Sequence, residues 1–128
     1  MRNLRPLVRV VTFWSSLPGL LLLGACHNDC QDYGEYALYL RVRDARSGAN
    51  IVPGATAVVQ EGSYTDSVTI APASMDETMS LALERPGTYL LRVRRPGYLE
   101  RTETGIRIGQ GECHVEAKQL TISLTPVS

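Results

Sequence analysis

Beyond the first 35 positions, apolar and polar residues alternate with a period of two. Leu38, Leu40 and Val42 fall on one side of that alternation, Tyr39, Arg41 and Arg43 on the other. Successive side chains of an extended chain point to opposite faces, so this pattern predicts a strand with one buried face. The same spacing recurs at Ala55, Ala57 and Val59, at Val68 and Ile70, at Met79, Leu81 and Leu83, and at Tyr89, Leu91 and Val93. Tyr98 is expected to open a strand holding Ile106 and Ile108. The last run holds Val115 and Ala117, then Leu120, Ile122 and Leu124. Its phase slips by one residue, and a bulge near Lys118-Gln119 is expected to keep both sets facing inward. Turn clusters separate the runs: Asp44 to Gly48, Glu61-Gly62-Ser63, Ala71 to Ser74, Arg85-Pro86-Gly87, Arg95-Pro96-Gly97 and Gly109-Gln110-Gly111. Only Ser74 to Thr78 is open to a short helical turn. The pattern predicts an all-β fold, an antiparallel Greek-key sandwich of about seven strands.

The first 25 residues follow a different pattern. Arg2, Arg5 and Arg9 are the only charges there, and an apolar stretch runs from Val10 to Leu23. That stretch is shorter than the roughly 20 residues a spanning helix needs. A basic start followed by a short apolar run reads as a signal-peptide helix. Leu23-Gly24-Ala25-Cys26 then resembles the lipobox of bacterial lipoproteins: an aliphatic residue, two small residues and the acceptor cysteine. The resemblance implies cleavage before Cys26 and acylation of its sulfur, palmitate among the acyl chains. The alternatives are an ordinary secretory signal with an unrelated cysteine, or an uncleaved anchor. The expected organisation is a signal peptide (1–25), a polar tether (26–35) and one β-sandwich domain (36–126). His27 follows Cys26 where an aspartate resembles an inner-membrane retention signal. This directs the expectation to the outer membrane or cell surface.

The chain has three cysteines. If Cys26 carries lipid, Cys30 and Cys113 remain as a pair. An oxidising compartment allows them to form a disulfide. Two free thiols are the alternative. A metal set of His27, Asp29, Cys30 and His114 matches no familiar spacing, so no metal or other cofactor is expected. Residues 26–128 carry 10 basic and 13 acidic side chains, a balance of −3. That is not the basic footprint of a nucleic-acid binder.

Leu38 to Gln60 resembles the opening of carboxypeptidase regulatory-like domains, which have a transthyretin-like fold. The positions that carry the likeness are Asp44, Gly48, Pro53, Gly54 and Ala55. Pro86 to Tyr98 resembles the Pro-Gly-x-Tyr strand and Gly-Tyr turn of that family, and Leu120 to Leu124 its closing strand. The stretch from Gly62 to Thr78 departs from the pattern, because Ser74 to Thr78 stands where the family has a glycine. The resemblance implies an accessory scaffold and not an activity.

The supply of reactive groups is thin. His27 reads as a solvated tether residue and His114 as an edge or surface side chain. A transthyretin-like hydrolase of the urate pathway ends in Tyr-Arg-Gly-Ser. This chain ends Thr125-Pro126-Val127-Ser128, so that activity is not carried over. No catalytic residue is expected, and the ligand-binding residues stay unassigned. Arg92, Arg94, Arg95 and Arg101 are either a positive strip for acidic glycans or phosphate, or a solvated face paired with Glu84, Glu100 and Glu103. Tyr33, Tyr36 and Tyr39 are either a sugar platform or half-buried strand residues. The expected function is a membrane-anchored, non-enzymatic module that contacts an envelope protein or a glycan. The alternatives are a structural envelope protein associating through a strand edge, and a small exported hydrolase.

Overall fold

A computed structural model describes residues 30–128. The expected signal segment, Cys26, His27 and Asp29 lie outside the described residues. Seven strands follow one another: β1 (Tyr36–Asp44), β2 (Thr56–Glu61), β3 (Tyr64–Thr69), β4 (Met79–Leu83), β5 (Gly87–Arg94), β6 (Arg101–Ile108) and β7 (Lys118–Leu124). They build two sheets, ordered β4-β1-β7 and β3-β2-β5-β6. The fold is an all-β sandwich, and Ser74 to Thr78 holds no helix.

The inner faces come from the residues the alternation marks. Leu38, Leu40 and Val42 of β1 face Ala57 and Val59 of β2 and Tyr89, Leu91 and Val93 of β5 in one buried cluster. Ile106, Ile108, Ile122 and Leu124 complete it. No polar or charged residue is buried among the described residues. Apolar burial therefore drives this fold, at about 25 cal/mol per Å2 removed from water.

All strand pairs but one are antiparallel. The exception is β1–β7, which run parallel with Leu38 to Asp44 opposite Lys118 to Leu124. A parallel pair needs a long crossover. Here the whole intervening domain supplies it.

Two inward assignments shift. Leu83 is exposed, not inward. Ala82 before it takes φ 59° and Glu84 after it φ 48°. This left-handed kink turns Ala82 into the core and Leu83 out of it. Ala117 is also exposed, and Val115 pairs with Gln110 in an isolated bridge ahead of β7. No bulge is needed at Lys118-Gln119, because β7 starts there. The bulge lies in β6 instead. Tyr89 faces Ile106 but Leu91 faces Glu103, so β6 carries one extra residue. Gly105 sits within that extra step at φ 69°. Tyr98 lies outside β6 and bridges Pro126.

The strand directions define two ends. One end, called here the entry end, collects residues 30–36, the end of β4, the start of β5 and the loop 109–117. The opposite end collects the loops 44–50, 70–78 and 95–100 and the C-terminus.

Candidate functional site

At the entry end the chain is clipped to the sandwich. Cys30 and Cys113 form a disulfide with their Cα atoms 5.2 Å apart. Beside it, His114 Nδ1 lies 2.5 Å from Glu84 Oε1, and its Nε2 lies 3.1 Å from the Gln31 carbonyl oxygen. The Tyr33 ring stacks on the imidazole, with centroids 4.5 Å apart. The left-handed backbone at Glu84 folds its carboxylate back over the start of β1. There it accepts the Glu35 N–H at 2.7 Å, while the Glu84 N–H donates to the Glu35 carbonyl at 2.7 Å.

Both acceptors facing His114 are oxygens, so both ring nitrogens must donate. Only the imidazolium does this. The Glu84 carboxylate accordingly holds the His114 pKa above its ordinary value of 6.5. A histidine with two spent nitrogens and a covered ring has no lone pair to act as a base. This Glu–His pair is a clasp.

Cys30 and His114, two members of the metal set considered and not expected from the sequence, do meet at this end. The Cys30 sulfur is committed to the disulfide, however, and no group of three or more metal-ligating side chains exists among the described residues. The tyrosines part company. Tyr33 goes to His114, whereas Tyr36 packs edge-on against Tyr39, with centroids 6.2 Å apart. The Tyr39 hydroxyl donates to Glu35 Oε1 at 2.6 Å.

The outer face of the three-stranded sheet carries a polar groove of about 390 Å3. The register builds it in rows: Ser80, Tyr39 and Gln119 across one, Arg41 and Thr121 across the next. Thr78 closes one side. The groove offers hydroxyls, an amide and a guanidinium, which are hydrogen-bonding groups and not reaction machinery.

The arginines do not form one strip. Arg101 pairs with Val93 and thus faces inward, while Arg92 pairs with Thr102 on the outer face. Arg101 stays exposed, pairing with Glu103 at 2.7 Å and donating to the Ser123 carbonyl of β7 at 3.1 Å, a link across the edge of the two sheets. Arg92 donates to Gln60. Arg95 donates to the Pro53 carbonyl at 2.8 Å and lies over the Tyr98 ring. Arg94 and Arg95 line a second hollow, about 450 Å3, with Gly54, Thr56, Thr69 and Pro96 at the opposite end. Glu84 serves His114 and not an arginine.

The family-like positions also meet at that opposite end. Asp44 Oδ1 accepts the N–H groups of Arg46 and Ser47 at 2.7 and 2.9 Å. Its Oδ2 accepts the Tyr98 hydroxyl at 2.8 Å. The Ser47 N–H first, and then the Tyr98 hydroxyl, hold the Asp44 carboxyl below its ordinary value. Gly48 and Gly97 take φ 73° and 85° in the flanking turns.

The chain matches no family model and no curated protein.

Proposed function

We propose that this chain is an exported, lipid-anchored and non-enzymatic module, held to the cell envelope through Cys26. The observation that carries this reading is the pairing of Cys30 with Cys113. The chain has three cysteines, so Cys26 is the one left over, and it ends the lipobox-like Leu23-Gly24-Ala25-Cys26. A disulfide also suits an oxidising compartment. The domain is of the carboxypeptidase regulatory-like type. Supporting this, Asp44 and Tyr98, from two separate stretches of the likeness, hydrogen-bond to each other. The polar groove over Tyr39, Arg41 and Gln119 is the contact surface for an envelope protein or glycan. The absence of enzymatic chemistry is supported by His114, whose ring nitrogens are both spent on the clasp. Outer membrane or cell surface is the proposed location, on the strength of His27.

Labelled-palmitate feeding tests the anchor. Label is expected in the wild type and not in Cys26→Ala. Equal label in both ends the lipoprotein reading.

A further inference from the structure

We infer that the entry end of the sandwich is a membrane-resting face, and that its partner is a zwitterionic lipid surface. The inference rests on anchoring at Cys26 and adds an orientation to it. Three large apolar side chains are exposed there: Tyr33 at 52%, Tyr36 at 37% and Leu83 at 52%; Met75, Leu99 and Val127 are exposed at the opposite end, so the reach from Cys26 decides between the two ends. The backbones of Tyr33, Tyr36 and Leu83 are neighbours. Tyr36 and Leu83 are cross-strand partners. Leu83 packs over Gly34, where an added Cβ would meet its Cδ1 at 2.9 Å. Tyr33 is the next residue.

The kink at Ala82 makes this exposure. Regular alternation would carry Leu83 into the core. The left-handed residue on either side spends backbone strain to turn a leucine outward, beside two tyrosines. Tyr rings with wet hydroxyls suit the boundary between headgroups and acyl chains.

Reach fixes the distance. Cys30 is clipped to the domain, and it lies four positions after Cys26. A fully extended chain gains at most about 3.6 Å per residue, so lipid on Cys26 keeps the clip within roughly 15 Å of the bilayer surface. The opposite end, with the Asp44 turn and the Arg94–Arg95 hollow, then faces away.

Charge selects the lipid. Residues 30–36 and 109–117 contain no Lys or Arg but hold Asp32, Glu35 and Glu116, and Arg85, in the turn between β4 and β5, is paired with Glu61. The His114 cation is already matched by Glu84. An anionic leaflet would be repelled within a Debye length.

The test uses the full lipidated protein in phosphatidylcholine vesicles, with a headgroup spin label and amide NMR. Stronger broadening is expected at Tyr33, Tyr36 and Leu83 than at Ala45 to Gly48 and Gly97 to Glu100. The short spacer alone can produce some of this gradient. A variant with about ten Gly and Ser residues inserted after Asn28 removes that constraint. The gradient should persist in it. It should vanish when Tyr33→Ser, Tyr36→Ser and Leu83→Ser are added to the spacer variant, with amide dispersion unchanged. Added phosphatidylglycerol should weaken it at low salt. Loss of the gradient on spacer insertion alone, with lipid still on Cys26, overturns the face and leaves the anchoring intact. A chain without lipid on Cys26 overturns both.

Discussion

His114 satisfies its neighbours only when charged, and this makes the clasp sensitive to pH. Glu84 holds the histidine pKa above 6.5, so the imidazolium contribution to stability is complete below about pH 6.5. It is lost as pH rises through the raised folded value. Glu84 runs the other way. The Glu35 N–H first, and His114 next, hold its pKa below 4.5. Its contribution is complete above pH 4.5 and is lost as pH falls through the lowered folded value. Both contributions are full between about pH 4.5 and 6.5. The melting-temperature gap between wild type and His114→Gln, with the disulfide intact in both, should be widest in that window and narrow toward pH 9. A gap that widens from pH 6 to pH 8 contradicts a charged His114. This pair was not legible in the sequence. His114 read as a surface side chain and Glu84 as an arginine's partner, because 30 residues separate them and no periodicity links them. A signal was present all the same. If Cys113 pairs with Cys30, its neighbour must lie beside the start of the first strand.

At the scale of elements, alternation revealed what it physically encodes and nothing more. It marked the buried faces of β1, β2 and β5 correctly, because burial of every second residue is what a one-sided strand requires. It could not tell which strands are neighbours, so the parallel β1–β7 pair went unread. It also presumed an unbroken phase, and failed where the backbone changes hand. At Ala82 this inverted Leu83. In β6 a phase break was expected for the wrong strand, since Gly105 gives a single-residue sign no stronger than other glycines. The bulge offers a clean test. Nothing lies within 4 Å of a Cβ built on Gly105, so Gly105→Ala meets no steric neighbour. Only its φ of 69° resists the substitution. Left-handed backbone costs an L-residue roughly 1–2 kcal/mol. Urea denaturation of Gly105→Ala should show a loss of that size, with the m-value unchanged. No loss would mean that β6 relaxes its bulge.

The described domain is closed twice across nearly its full length. The β1–β7 ladder joins the first strand to the last, and Cys30–Cys113 joins the segments ahead of each, 83 residues apart. The two closures act on different states. The ladder exists only in the folded protein, where it already holds the two segments together. The disulfide therefore adds little to native contacts and acts mainly on the unfolded chain, whose loop it keeps closed. Loop-closure entropy for this separation amounts to about 4–5 kcal/mol, an upper figure since native geometry offsets part of it. Domains of this size have about 5–15 kcal/mol of stability, so the reduced protein should remain folded with a lower denaturation midpoint. The Cys30→Ser/Cys113→Ser variant should match the reduced wild type. Guanidinium titrations of oxidised, reduced and double-serine forms measure all three. If the reduced form shows no cooperative transition, the ladder cannot hold the ends alone, and the disulfide is then a folding requirement. Equal midpoints would mean that the unfolded chain stays compact enough to make the loop closure worthless.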